Sequence, residues 1–208
     1  MNATEALARI QRLGVPAVTT SDVAALLDLS TGAASHTLRR LARARLVGSL
    51  RRGLWSVSDR VDPLAMAEYI TAPYPSYVSL QTALYLRGMI MQIPATIYLV
   101  SLARSARVTT PIATYSLHHV APEIFDGFEV QPKSGIKLAF AEKALVDLLY
   151  LSGTRTRLFS SLPELELPRG FRTARARAWV KRIPAPRLRV LVEQRLKEVL
   201  ERARSGGG

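Results

Sequence analysis

The segment TGAASHTLRRLAR, residues 31–43, decides the fold because it combines an apolar face and a basic face at helical spacing. Ala34, Leu38 and Leu41 recur at spacings of four and three, which predicts a helix to about residue 44 with these side chains facing inward. The other face carries polar and basic side chains: Thr31, Ser35, His36, Arg39, Arg40 and Arg43. The sequence therefore predicts an amphipathic helix whose exposed face is positively charged.

The neighbouring segments place this helix third in a small domain. Apolar periodicity predicts a first helix over residues 3–13 and a second one that begins at a cap on Thr20 or Ser21. A turn at residues 29–32 puts Ser30 at the start of the third helix, and residues 46–57 then form a predicted hairpin around Gly53. This order of elements predicts a winged helix-turn-helix over residues 1–60.

The exposed face of the third helix favours DNA binding. A helix is about as wide as the major groove, and arginine pairs with phosphates and with guanine edges. The alternative is a protein-interaction module whose basic face is only solvated. DNA binding is favoured because the polar and basic residues coincide with both predicted contact elements, the helix and the hairpin. The predicted DNA-binding residues are Ser30, Thr31, Ser35, His36, Arg39, Arg40, Arg43, Arg51 and Arg52.

Charge and composition narrow the functional class further. The 208 residues carry 29 basic and 16 acidic side chains, for a net charge of +13, and this excess is concentrated at the two ends: residues 1–60 hold 9 basic and 4 acidic residues, and residues 155–208 hold 14 and 5. Part of the excess is what an arginine-rich coding bias would produce. The absence of cysteine excludes a disulfide framework, a thiolate metal site and a cysteine nucleophile. We expect a cytoplasmic protein that does not contact a membrane.

Residues 61–208 are predicted to form a second domain of mixed α/β character, with a small sheet and C-terminal helices. The complete chain is therefore expected to be α+β. The predicted helices span 64–70, 76–88, 141–151, 173–181 and 186–203, and the predicted strands span 96–102, 107–110, 112–120, 128–131 and 136–140.

The charged residues of this apolar middle are the weak candidates for catalysis. The sequence has neither a phosphate-binding P-loop nor the motif set of a protein kinase. Glu142, Lys143 and Asp147 allow two interpretations: a salt bridge on a helix flank, or a lysine that positions a phosphate beside a carboxylate that holds a metal or accepts a proton. His118 and His119 are adjacent in a predicted strand and point to opposite faces, so no metal site is predicted.

Several segments, taken in order, carry a resemblance to a known family. These are YVSLQTAL at 77–84, RGMI at 87–90, IYLV at 97–100, GF at 127–128 and AEKALVDLLY at 141–150, which follow the predicted winged helix. Over about residues 15–155 the chain resembles the AbiEi-type antitoxins of type IV toxin–antitoxin systems.

The resemblance implies a function with two parts. The N-terminal winged helix would bind operator DNA, which consists of repeats in the promoter of its own operon, and would thereby repress that operon. The C-terminal domain would neutralise a cognate nucleotidyltransferase-like toxin, and no stable complex need form between the two proteins. No cofactor is implied unless neutralisation is a phosphorylation of the toxin by an atypical kinase, which would require ATP and magnesium. A third alternative is a transcriptional regulator that senses a ligand.

Overall fold

The computed structural model describes residues 2–58, 60–153 and 164–205. As expected, the protein is α+β, with helices and two separate sheets. It divides into two compact units: Met1–Ile70 with Thr109–Ala113, and Thr71–Val108 with Thr114–Gly208. No helix in the described ranges is long and apolar enough to cross a membrane.

The first unit contains three helices and a small sheet before a short helical segment. The sheet has the order β1-β3-β2, and both of its pairings are antiparallel. The elements are α1 Ala3–Gln11, β1 Ala17–Thr19, α2 Thr20–Leu27, α3 Thr31–Arg43, β2 Gly48–Arg51, β3 Leu54–Ser56, a 3₁₀ turn Pro63–Met66 and α4 Ala67–Thr71.

Side-chain caps fix where α2 and α3 begin. The cap of α2 is Thr19, one residue before the predicted position, and it forms a capping box in which Thr19 and Asp22 each accept from the other's backbone N–H. Strand β1, which no sequence pattern predicted, is only three residues long and pairs with β3 more than 30 residues later. Ser30 caps α3.

The core of the first unit forms where the three helices meet the sheet. Its buried side chains include Ile10, Val23, Leu38 and Leu41 from the helices. Trp55 of β3 is also buried, and its indole N–H donates to the Thr20 hydroxyl at 2.9 Å.

The second unit is built on a six-stranded mixed sheet with the order β6-β7-β5-β4-β9-β8. Strand β4 lies inside this sheet, antiparallel to β5 and parallel to β9. The elements are β4 Ser76–Val78, α5 Leu80–Leu86, β5 Ile97–Ser101, β6 Ala106–Thr109, β7 Thr114–His119, a 3₁₀ turn Pro122–Ile124, β8 Phe128–Val130, β9 Lys137–Ala139, α6 Ala141–Ser152, α7 Thr173–Lys181 and α8 Pro186–Ser205.

One predicted element of this unit is wrong. The predicted helix over residues 76–88 begins as strand β4, and the helix starts only at Leu80. Tyr77 and Val78 favour a strand once neighbouring strands are available, and they pair with Val100 and Leu99 of β5. The five predicted strands of this unit are present, with each end within one or two residues of the prediction, and α7 has the predicted bounds.

Candidate functional site

Helix α3 presents its basic residues to solvent. Ala34, Leu38 and Leu41 have at most 1% of their surface exposed, and they pack into the core of the first unit. Because these three positions define the inner face, the remaining face points outward. The predicted contact residues Thr31, His36, Arg39, Arg40 and Arg43 are exposed, and Ser35 is half-buried.

Ser30 has a structural role at the start of this helix. Its hydroxyl oxygen accepts a hydrogen bond from the Ala33 backbone N–H at 3.2 Å, which satisfies one of the free donors of the first turn. The Ser30 hydroxyl hydrogen is still able to donate, since a serine hydroxyl both accepts and donates. Ser30 is therefore a helix cap with a donor available to a ligand.

The β2–β3 hairpin carries the two other predicted arginines. Arg51 and Arg52 are exposed beside Gly53, whose φ of +78° allows the tight connection. The Arg51 guanidinium donates to the Tyr69 carbonyl oxygen at 3.4 Å, a contact that orients its side chain. The hairpin therefore presents two arginine cations to solvent, of which Arg51 is tethered by this contact.

The arginines of α3 and of the hairpin tip are not neutralised by carboxylates in the described ranges. Arg39, Arg40, Arg43 and Arg52 form no salt bridge with any residue that the structure describes, in contrast to Arg9, which pairs with Glu5 at 3.3 Å. The helix ends at Arg43, so Arg40 and Arg43 occupy its last turn, where a cation is favourable. These arginines supply unpaired positive charge of the kind that binds phosphates.

The second unit holds a fully buried polar cluster between β4 and α6. Lys143 and Asp147 form a salt bridge one helical turn apart, and both side chains have 0% of their surface exposed. The Tyr77 hydroxyl donates to Asp147 Oδ2 at 3.0 Å and accepts from Lys143 Nζ at 2.9 Å. Ser79 Oγ donates to the same Asp147 Oδ2 at 2.7 Å. Each of the four side chains therefore has a partner, as buried polar groups require.

The electrostatics of this cluster follow from burial. Desolvation raises the pKa of Asp147 above its ordinary value, while Lys143 and the hydroxyl donors act in the opposite direction. Burial and the neighbouring Asp147 carboxylate raise the pKa of Tyr77 well above its ordinary value, so Tyr77 keeps its proton and stays a donor.

The structure brings together only part of the predicted catalytic set. The expected Lys143–Asp147 salt bridge is present, but it lies in the core and not on a helix flank. Glu142 is also buried, and its Oε1 accepts from the Arg172 backbone N–H at 2.8 Å. In this conformation no solvent reaches Lys143 or Asp147, so the geometry is that of a structural ion pair.

Tyr77 and Ser79 are the members of this cluster that sequence reasoning missed. They lie 70 and 68 residues before Asp147, within the segment predicted to be helical. The side chain of Tyr77 stacks on Phe128 with ring centroids 4.8 Å apart, and Phe125 lies 5.2 Å away. The aromatic and β-branched residues at 77 and 78 were the available signal for a strand.

The adjacent histidines differ in environment. His118 is buried, its Nε2 lies 2.9 Å from Ser116 Oγ, and burial lowers the pKa of His118 to about 4. His119 is exposed, and its Nδ1 lies 3.2 Å from the Leu102 carbonyl oxygen. Among the described residues, no group of three or more His, Cys, Asp or Glu side chains could hold a metal ion.

No protein-family model and no curated protein sequence matches the chain.

Proposed function

We propose that the first unit is a winged helix that binds duplex DNA, with α3 in the major groove and the β2–β3 hairpin on the adjacent backbone. The observation that carries this proposal is the outward face of α3, where Arg39, Arg40 and Arg43 lie exposed and without carboxylate partners among the described residues. A solvated interaction face needs no such concentration of unpaired arginine.

The dimensions of α3 fit this role. Its 13 residues span about 20 Å at 1.5 Å per residue, and a helix with side chains is about as wide as the major groove. The first turn of the helix contains the small residues Gly32 and Ala33, so its backbone can approach base edges closely. Arg39, Arg40 and Arg43 lie further along, where they would contact phosphates or guanine edges.

The proposed biological role is that of an antitoxin that represses its own operon. The resemblance to AbiEi-type antitoxins supports it, with residues 1–60 as the DNA-binding domain and residues 61–208 as the domain that neutralises a nucleotidyltransferase-like toxin. The division of the structure into two compact units is compatible with separate tasks for the two parts.

DNA binding is tested with the purified full chain and a fluorescent duplex from its own promoter. If the substituted arginine contacts a phosphate, Arg39→Ala or Arg40→Ala should reduce the slope of log K against log salt concentration by about 0.9. If the arginine reads a base, the change should weaken binding by about 1–3 kcal/mol. Arg9→Ala is the matched control, because it removes the same charge from another exposed helix of the same unit. If all three variants bind alike, the DNA-binding proposal is wrong.

The antitoxin role is tested by growth rescue. The adjacent gene is expressed alone, with the full chain, and with the full chain that carries Arg39→Ala. We expect the adjacent gene to be toxic, and we expect both forms of the chain to restore growth, since neutralisation is assigned to the second unit. A harmless neighbour, or a toxic one that the chain does not neutralise, would refute the antitoxin role while leaving DNA binding intact.

A further inference from the structure

Large apolar side chains are exposed together at the end of α5. Met91 has 87% of its surface exposed, Ile93 has 70% and Leu86 has 44%. Single exposed apolar residues are common, but three within eight positions of the sequence make residues 86–93 an unusually apolar exposed segment, which we call the strip.

The backbone holds this strip in place. Helix α5 ends in a Schellman motif: the Gly88 N–H donates to the Tyr85 carbonyl at 2.9 Å, and the Met89 N–H donates to the Leu84 carbonyl at 2.8 Å. Gly88 adopts the required positive φ of +69°. Within the strip, Met89 and Ile90 are buried directly before the exposed Met91. The exposure of Met91 and Ile93 is therefore built into the chain path.

A cavity of about 340 Å³ adjoins the strip, and it combines apolar and acidic lining. Met89, Ile90 and Met91 line it together with the exposed residues Glu164 and Glu166. The Glu166 N–H donates to the Met89 carbonyl at 2.9 Å, so the apolar and the acidic lining segments are joined through the backbone.

The charge at this cavity is opposite to that of the chain as a whole. Glu164 and Glu166 form no salt bridge within the described ranges. Arg87 follows α5 directly, but its guanidinium is turned to Glu129 at 2.8 Å and to the Ala139 carbonyl at 2.9 Å. In a chain of net charge +13, this cavity is a place where a cationic group finds apolar surface beside two glutamates that have no salt-bridge partner in the part of the chain that the structure describes.

We propose that Met91, Ile93, Glu164 and Glu166, which we call the methionine surface, dock a partner protein through a segment that places a lysine or arginine next to apolar side chains. The cation would enter the cavity and pair with the carboxylates, and the apolar side chains would cover Met91 and Ile93. Methionine adapts its shape to such partners. A nucleic acid does not fit, because the carboxylates repel phosphates. The inference rests on the proposed function, and it assigns the partner as the neutralised toxin.

Direct contact is tested by photo-crosslinking in cells that express the full chain with the toxic neighbour. A photoreactive benzoylphenylalanine replaces Met91 in one strain and Val130 in the control strain, since Val130 is also exposed, at 56%, in the same unit. We expect a crosslink to the toxin from position 91 and none from position 130. No toxin crosslink at 91, equal crosslinks at both positions, or a crosslink from 91 to a second copy of this chain would overturn the assignment.

Rescue by substituted chains gives an independent measure. Two double variants are compared with the unsubstituted chain: Met91→Asp with Ile93→Asp, and Glu164→Lys with Glu166→Lys. Each should reduce growth rescue at least tenfold, whereas the control Val130→Asp should not reduce it. In a Trp55→Phe background, urea unfolding of each variant followed by Trp179 fluorescence must match that of the unsubstituted chain, which shows that the second unit is folded. Equal rescue by all chains refutes the methionine surface alone. Failure of the unsubstituted chain to rescue refutes the proposed function as well.

Discussion

Replacing Lys143 with methionine should strongly destabilise the second unit. Methionine is close to lysine in length, so the change removes the charge while leaving most of the packing. Among the described residues, Asp147 would then keep the Tyr77 and Ser79 hydroxyls as its partners, with 0% of its side chain exposed. Breaking a buried ion pair in this way costs about 3–5 kcal/mol. We expect the lower part of that range, because the two hydroxyl donors still stabilise the carboxylate.

The measurement is urea unfolding of the full chain, arranged to report on the second unit. The two tryptophans of the sequence lie in different units, Trp55 in the first and Trp179 in the second. A Trp55→Phe background therefore leaves Trp179 as a fluorescence probe of the second unit. Lys143→Met, Asp147→Leu and the double variant complete a double-mutant cycle in this background.

The double variant decides whether the two charges act as a pair. Removing both leaves no buried unpaired charge, so its loss of stability should fall at least about 2 kcal/mol short of the sum of the single losses. Losses that add within about 0.5 kcal/mol would refute the ion-pair account. The same variant tests the kinase alternative: a folded double variant that still rescues growth shows that neither Lys143 nor Asp147 is catalytic. A folded one that fails to rescue but still crosslinks to the toxin from position 91 favours catalysis, whereas loss of that crosslink as well indicates a displaced methionine surface.

Two further changes test other contacts of the second unit. Gly127→Ala should lower the free energy of unfolding by about 2–4 kcal/mol, because Gly127 has a φ of +79° and an added Cβ would lie 2.6 Å from the Trp179 ring and 2.7 Å from Lys143. The control is Gly135→Ala, which has a φ of +69° and open space around the added Cβ, and it should cost only about 1 kcal/mol. Equal losses of the two variants in urea unfolding would contradict the steric account. His118 has a pKa of about 4 in the folded protein against an ordinary 6.5. The unfolded state therefore binds more protons between these two values, and the stability of the protein falls as the pH falls. From pH 7 to pH 5 the unsubstituted chain should lose about 1–2 kcal/mol more stability than His118→Gln, and parallel curves of stability against pH would contradict this.

The helical elements were predictable where apolar spacing was regular and local. Helix α7 has the predicted bounds, and α3 has the predicted buried face, because Ala34, Leu38 and Leu41 fix it without help from distant residues. Short strands depend on partners far along the chain. Strand β1 exists because β3 pairs with it, and the helical pattern predicted for residues 76–79 was overridden by pairing with β5 and β9.

The buried cluster shows the same division between local and distant information. The spacing of Lys143 and Asp147 predicted their contact, since residues four apart on a helix are neighbours. Their complete burial was not predictable from that spacing, because it depends on β4 lying beside α6. Tyr77 and Ser79 could be found only once β4 was recognised as a strand.

The cluster has a consequence for the methionine surface because it lies where β4 ends and α5 begins. Leu80 follows Ser79 directly and has a φ of +54°, a backbone conformation that costs about 1–2 kcal/mol for a residue with a side chain. The bond from Ser79 to Asp147 and the complete burial of Leu80 oppose that cost. Apolar residues in place of the pair could fill the same space, but they could not hold the Ser79 hydroxyl. We therefore infer that the ion pair is present because it holds this turn in position, and not for stability alone. The turn starts the seven-residue helix α5, so its position determines where Met91 and Ile93 lie on the surface.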